Sequence, residues 1–305
     1  MEIVPLGPGA PGLDILLEDY RRHAGLPEAL VLSALTEALA SRRSQALLAV
    51  EAGRPVGLVV LSRQGGEGRI HLLYALPDAT DALPLLLERA EVELVRPGTD
   101  ALSATLPLLP GLGLEALFQA RGYRSAVRAR MHLPLAGEVP APTVPDGYRL
   151  VPWDGDRLGE AVTMVAAAPS EDDRLYPEFS GRAGVRRLLE GAVAGRFGRF
   201  EEALSPMALA AGGLAGFALA AWHPVLPQEG FLLDLFVAPP HRGQGLGRAL
   251  VLAVATAFRR AGAGRLGLAV TLSNVIALRL YEQLGFQVEY RFAVFRKDFP
   301  PRGKG

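Results

Sequence analysis

Apolar and polar positions in the second half of the chain change period several times, and each change predicts an element. Short apolar runs predict strands at about 147–152, 206–211, 214–223, 230–237, 265–271 and 286–297. The second and third of these are joined by a tight turn at Gly212-Gly213. Helical periodicity predicts helices over about 155–167, 182–194, 245–262 and 274–284. The order is mixed α/β, with an antiparallel start and a later strand–helix–strand crossover.

The pattern occurs twice. The turn and strand 52-AGRPVGLVV-60 return as 211-AGGLAGFAL-219, and 116-ALFQARGYRSAVRARMHL-133 returns as 279-RLYEQLGFQVEYRFAVFR-296. Gly122 thus stands opposite Gly285, and Tyr123 opposite Phe286. Two matches in the same order imply a duplication rather than chance likeness of apolar segments. Between the halves, 134-PLAGEVPAPTVP-145 holds four prolines and no apolar period, which predicts an extended linker. The expected domains are 1–133 and 146–299.

Composition sets bounds on function. The 305 residues are half hydrophobic, enough for two cores. Formal net charge is zero, so neither a nucleic acid nor an anionic membrane is an expected partner. Lys297 and Lys304 are the only lysines, and the arginines are scattered rather than gathered on a phosphate-binding face. No cysteine is present, which excludes disulfides, thiolate metal sites and a cysteine nucleophile. His23, His71, His132, His223 and His241 never fall at ligand spacing, so no metal is expected. The start, MEIVPLGPGAPGLD, lacks the basic and apolar regions of a signal peptide. No apolar run approaches the roughly 18 residues of a membrane span. A cytoplasmic protein is expected, and tandem halves are compatible with a monomer.

The stretch 239-PPHRGQGLGRAL-250 places Gly243, Gly245 and Gly247 at the start of an apolar helix. It follows the buried strand 231-FLLDLFV-237, which Pro239 and Pro240 end because proline cannot donate to a ladder. A helix start leaves N–H groups unpaired and carries partial positive charge. Glycines let a large anion reach those groups. The turn therefore suits a phosphate or pyrophosphate, or else it is a tight turn without a ligand. A P-loop is excluded, since no lysine follows the glycines. A dinucleotide fingerprint is excluded too: position 248 is Arg, and no acid occurs between 249 and 270.

Arg242, Gly245 and Gly247 fit a third pattern, Arg/Gln-x-x-Gly-x-Gly/Ala, and with it the second half resembles the GNAT superfamily of acetyl-CoA-dependent N-acetyltransferases. A second motif, 274-NVIALRLYEQLGF-286, matches that family's Asn-x-x-Ala-x-x-x-Tyr-x-x-x-Gly-Phe. The resemblance covers about 147–297. It implies that Arg242, Gly243, Gln244, Gly245, Leu246 and Gly247 cradle the pyrophosphate of acetyl-CoA. It implies a splayed strand offering backbone groups at Leu235, Phe236 and Val237 to the pantetheine and the thioester. An amide at Asn274 can bond the pantetheine arm, and the small Ala277 leaves room beside it. Tyr281 falls on one helix face with Ala277 and Leu284. It reads either as a core aromatic or as the acid that meets the leaving thiolate, CoA being the product.

The sequence also departs from the family. Many members carry a base glutamate at the position that is Phe231 here. Asp234 and Glu229 are nearby acids, and no base is assigned. After the Gly-Phe pair there is room for one long strand where two are usual, so one is missing or comes from the other half. In the first half, 74-YALPDATDALPLLL-87 has no glycine where the turn belongs. Phe118 stands for Tyr281 there, and Gly111 for Asn274. That half is expected to be a degenerate GNAT-like domain without a CoA site, in a tandem arrangement similar to that of mycothiol synthase. Each domain is expected to hold a mixed, mostly antiparallel sheet flanked by helices.

The acceptor is expected to be the primary amine of a small molecule or peptide. Glu171, Asp172 and Asp173 read either as an attraction for a cationic amine or as a solvated helix start. Two function classes follow: an N-acetyltransferase working by direct amine attack on the thioester, or a silent acyl-CoA-binding or scaffold protein.

Overall fold

A computed structural model of the chain describes residues 1–6, 12–24, 26, 44–168, 175–176 and 179–300. The described elements run, in order, β1 (Glu2–Pro5), α1 (Leu13–Ala24), β2 (Ser44–Glu51), β3 (Arg54–Gln64), β4 (Glu67–Ala75), α2 (Ala82–Leu94), β5 (Ala101–Pro107), α3 (Leu114–Ala120) and β6 (Arg124–Pro134). They continue with β7 (Arg149–Val151), α4 (Leu158–Ala166), α5 (Gly181–Val193), β8 (Arg199–Phe200), β9 (Met207–Ala210) and β10 (Gly213–Trp222). The last are β11 (Glu229–Val237), α6 (Leu246–Arg260), β12 (Arg265–Thr271), α7 (Val275–Gln283) and β13 (Gln287–Asp298). The fold is mixed α/β. The segment read as one helix over 155–167 is a 3-10 turn at Gly155–Arg157 followed by α4. Asp154 accepts from the Asp156 N–H there, which favours the tight turn.

The chain divides into two compact units, Met1–Arg128 with Glu289–Gly305, and Ala129–Val288. These differ from the expected cut at the proline-rich stretch. Most of β13 belongs with the first unit, and the second half of β6 with the second. Each half thus gives up its last strand and receives the other's, which answers the question of the missing strand.

In the first unit the strand order is β1-β2-β3-β4-β5-β13. Neighbours are antiparallel except β4 and β5, which α2 connects as a parallel pair. The helix buries Leu83, Leu86, Leu87, Ala90 and Leu94, an i, i+3/i+4 stripe, against the sheet.

In the second unit the order is β6-β12-β11-β10-β9-β7, with β8 paired to β10. Here β11 and β12 are the parallel pair, connected by α6. That helix buries Leu246, Ala249, Leu250, Val254 and Phe258 on its sheet face. Gly262, at φ 89, ends it, and the Ala263 N–H reaches back to the Phe258 carbonyl at 2.9 Å. Gly230 makes room for this helix: a Cβ there would come within 2.4 Å of the Phe258 ring.

The duplication read from the sequence extends to irregular features. In β11 the register against β10 slips between Leu219 and Ala220, which leaves Leu233 as the extra residue of a β-bulge. In β4 the slip between Val60 and Leu61 leaves His71 in the same role. Each parallel ladder spans four pairs, ending at Ile70–Ala104 in one unit and at Leu232–Leu268 in the other. The helix ends correspond too. Tyr123 N–H bonds the Phe118 carbonyl at 3.1 Å and Gly122 N–H bonds that of Gln119 at 2.9 Å. Phe286 N–H bonds Tyr281 at 3.0 Å and Gly285 N–H bonds Glu282 at 3.0 Å, with both glycines at positive φ.

Candidate active site

The strands that frame the candidate site part company at the bulge. Beyond Leu232 and Leu268 the β11–β12 ladder stops, yet β11 runs on to Val237 and β12 to Thr271. Residues 234–237 stay paired to β10 on their other edge. The result is a wedge with backbone groups of β11 along one side. Leu235 and Val237 pack toward α6 and α7. Phe236 points to the opposite face and stacks on Phe217 at 6.2 Å.

At the end of β11, Pro239–His241 forms a single 3-10 turn and the chain enters the glycine-rich segment. Gly243 at φ 75 and Gly245 at φ 84 adopt left-handed backbone that L side chains rarely take. A Cβ on either would meet nothing within 4 Å, so the surface over them is open. The first intrahelical bond into the turn is Ala249 N–H to the Gly245 carbonyl at 3.1 Å. Among the described residues, the N–H groups of Gly243, Gln244, Gly245, Leu246, Gly247 and Arg248 bond no backbone carbonyl. Six consecutive donors at a helix start form an anion cradle, with the helix dipole adding to it.

The side chains of this turn are spent on shape. Leu246 is buried in the core. Gly247 sits where a Cβ would touch Leu280 at 3.6 Å and Val237 at 3.9 Å. Arg242 Nε donates to the Val237 carbonyl at 2.9 Å, and its guanidinium lies 5.8 Å from the Phe236 ring centre. What faces outward is backbone, which is what a pyrophosphate requires.

Asn274 caps α7 as expected, its Oδ1 accepting from the Ala277 N–H at 3.1 Å. The exposed amide keeps its Nδ2 hydrogens for another acceptor. Ala277 is half-buried against the core. Tyr281 is buried, tilted on Phe286 at 5.6 Å, and its hydroxyl has no hydrogen-bond partner among the described residues. Burial, with a smaller contribution from the charge of Asp234, raises its pKa above the ordinary phenol value.

Asp234 and Glu229 have separate roles that the sequence left undivided. Glu229 is sealed between Arg130 of β6 and Arg265 of β12, with the Arg265 Nε at 2.5 Å. Its carboxylate holds three strands together and is not available as a base. Gly267 is required beside it, since a Cβ would come within 2.5 Å of the Glu229 carboxylate. Phe231, standing at the family's glutamate position, carries the Arg130 guanidinium 4.5 Å above its ring. Asp234 has no cationic partner among the described residues. Burial raises its pKa to about 6, against a smaller opposing effect of the Leu235 N–H.

The first unit repeats the early end of the parallel ladder, and the residues at the corresponding helix are closed into its core. Phe118, in the place of Tyr281, is fully buried and stacks on Phe295 at 4.1 Å. Leu109, Leu112 and Leu114 join the same core. At the start of α2 two N–H groups are already spent: Ala82 N–H bonds the Ala79 carbonyl at 3.0 Å and Leu83 N–H bonds that of Thr80 at 3.1 Å.

Glu171, Asp172 and Asp173 lie outside the described residues. Sequence reading missed Tyr148, which contacts the glycine turn from a position in no motif. No described helix is long and apolar enough to cross a membrane.

Comparison with known proteins places these features in context. Residues 171–286 match the acetyltransferase (GNAT) family. The chain is 34% identical over 164 residues to a mycothiol acetyltransferase of Thermobispora bispora, covering 52% of each chain. It spans about half the length of the first curated relatives it matches. A mycothiol acetyltransferase of Thermomonospora curvata is 30% identical over 293 residues, 87% of this chain and 90% of that one. Among solved structures, a tandem GNAT protein from the clavulanic acid biosynthesis pathway superposes with a TM-score of 0.57 at 20% identity, covering 99% of both chains, and so shares the fold.

Proposed function

The chain belongs to the GNAT family of acetyltransferases, and we propose that its second unit transfers the acetyl group of acetyl-CoA to the primary amine of a small molecule or peptide. The observation that carries this reading is the run of six N–H groups from Gly243 to Arg248 without a backbone partner among the described residues, whereas Ala82 and Leu83 at the corresponding helix start of the other unit are already bonded. Those donors fit the pyrophosphate, and the unladdered edge of β11 fits the peptide-like pantetheine. Asn274 Nδ2 is a donor for one of its carbonyls. Bound acetyl-CoA supplies an activated thioester, which an amine attacks directly.

The chain's own groups then divide the proton work. A neutral amine forms the new C–N bond as the C–S bond breaks, and its surplus proton must leave. Asp234, ionised above about pH 6, accepts it, directly or through one water. Tyr281, whose hydroxyl has no hydrogen-bond partner among the described residues, would be the donor to the departing sulfur. Its pKa is raised while a thiol's ordinary value is about 8.5, so the phenol keeps its proton and stabilises the thiolate as a hydrogen-bond donor. The backbone N–H groups within Leu235–Val237 that point away from β10 are the candidates for polarising the thioester carbonyl.

The similarity to mycothiol acetyltransferases over most of the chain makes the amine acceptor of those enzymes the first to assay. The test is thiol release from acetyl-CoA across a panel of primary amines, with the N-acetyl product identified by mass. Amine-dependent release supports transfer. Tight acetyl-CoA binding without release above the hydrolysis rate returns the protein to a silent binder.

A further inference from the structure

One side chain from outside the motif, Tyr148, ties down the glycine turn. Tyr148 lies just before β7 and packs partly on the core of the second unit. Its hydroxyl donates to Gln244 Oε1 at 3.0 Å and meets His241 Nδ1 at 2.9 Å. The rings of Tyr148 and His241 stand edge to face, 5.6 Å apart at 86°. Gln244 Nε2 in turn donates to the Pro240 carbonyl at 3.4 Å.

These contacts fix one hydrogen arrangement. Gln244 points its nitrogen at the Pro240 carbonyl, so its oxygen faces Tyr148 and takes the single phenolic hydrogen. His241 Nδ1 must therefore bring its own hydrogen to the Tyr148 oxygen. One hydroxyl thus ties together two residues of the turn, His241 and Gln244, which flank Arg242 and Gly243. The free N–H run begins at Gly243. The segment is otherwise flexible by composition, with two glycines in left-handed backbone that costs entropy to hold.

We infer that Tyr148 is a positioning residue for the phosphate of the acyl donor, holding the N–H groups of the glycine turn in their binding arrangement through His241 and Gln244. The inference rests on the reading of that turn as the pyrophosphate site. Tyr148 touches no reacting atom. Its effect falls on donor affinity and not on the chemical step.

The experiment uses the full chain and two donors. Calorimetry with CoA on the parent and on Tyr148→Phe reads the lock directly, because Phe keeps the ring packing and loses the hydroxyl. About a 3- to 10-fold rise in Kd is expected, the range of one or two ordinary hydrogen bonds. With acetyl-pantetheine, which lacks the pyrophosphate, kcat/KM for the two proteins is expected to be equal. Gln244→Met supplies a second variant, and the double variant is expected to lose no more than the larger single loss, as for groups acting through one network. A Tyr148→Phe protein with parental Kd for CoA overturns the inference and leaves the site reading intact. So does a loss of equal size with acetyl-pantetheine, which marks a general structural defect. A parent protein that does not bind CoA overturns the site reading itself.

Discussion

Burial, and after it the charge of Asp234, raises the pKa of the Tyr281 phenol, so the two groups lie within electrostatic reach of one another. The arrangement is asymmetric. Burial moves Asp234 up to about 6, where it is ionised at neutral pH and still basic enough to accept a proton. Burial and the Asp234 charge move Tyr281 away from ionisation, which keeps it a donor. In the proposed reaction, Asp234 is the acceptor for the amine's proton and Tyr281 the donor to the thiolate.

Asp234→Asn tests the first of these roles. In the parent protein, kcat/KM is expected to rise with pH through about 6 as the carboxylate ionises. The variant is expected to lose that limb and to fall by about 10²–10⁴ in rate, the usual contribution of a general base. A retained limb at the same pH assigns it to another group.

The same substitution has a stability consequence of opposite sign. Asp234 binds its proton more tightly folded than unfolded, about 6 against 3.8. Its contribution to stability is therefore lost as pH rises from about 4 to 6. At pH 8 the asparagine variant is expected to melt at or above the parent temperature, and at pH 4 no lower. A clear loss of thermal stability at pH 8 contradicts the placement of an unpaired carboxylate there.

Tyr281→Phe is expected to lower kcat with little change in acetyl-CoA affinity. The ring stays against Phe286, and the first unit already carries Phe118 at the corresponding place in a closed core. A variant with parental kcat, measured where chemistry limits the rate, returns Tyr281 to a packing role.

Glu229→Gln reads the buried ion cluster. Arg130 is 4% exposed and would keep its charge while losing the carboxylate beside it. Breaking such a pair costs about 3–5 kcal/mol, and denaturant unfolding is expected to show a loss of that order. A loss below about 1 kcal/mol would mean that Arg265 and solvent compensate.

How much of this the sequence shows depends on how local each feature is. The glycine turn and the Asn274-to-Phe286 motif are contiguous, and the backbone does there what the residue types require. The positive φ of Gly243, Gly245 and Gly285 and the cap at Asn274 follow directly. The bulge at Leu233 and the end of the β11–β12 ladder depend on two partner strands, and no residue of 231-FLLDLFV-237 announces them. Glu229 and Asp234 look alike along the chain. Arg130 and Arg265, arriving from distant strands, neutralise one and leave the other alone. The apolar alternation of 286–297 gives a strand, but nothing in it says that the strand joins the first unit. Tyr148 carries no motif, and only the fold brings it to His241 and Gln244.

Gly245→Asp probes the cradle itself. The site is open to a side chain, yet φ 84 adds strain of about 1–2 kcal/mol in a non-glycine residue. Affinity for CoA is expected to fall by much more than that strain explains, because a carboxylate then faces the pyrophosphate. Parental affinity in the folded variant removes the turn from the site.

The central claim is that one acyl-CoA binds each chain, on the turn of the second unit. Residue-resolved amide shifts on titration with CoA measure this most directly. The account predicts shifts concentrated at Gly243–Arg248 and along Leu235–Val237, saturating at one CoA per chain, with Ala82 and Leu83 unmoved. Shifts centred on the start of α2, or saturation at two equivalents, would contradict it.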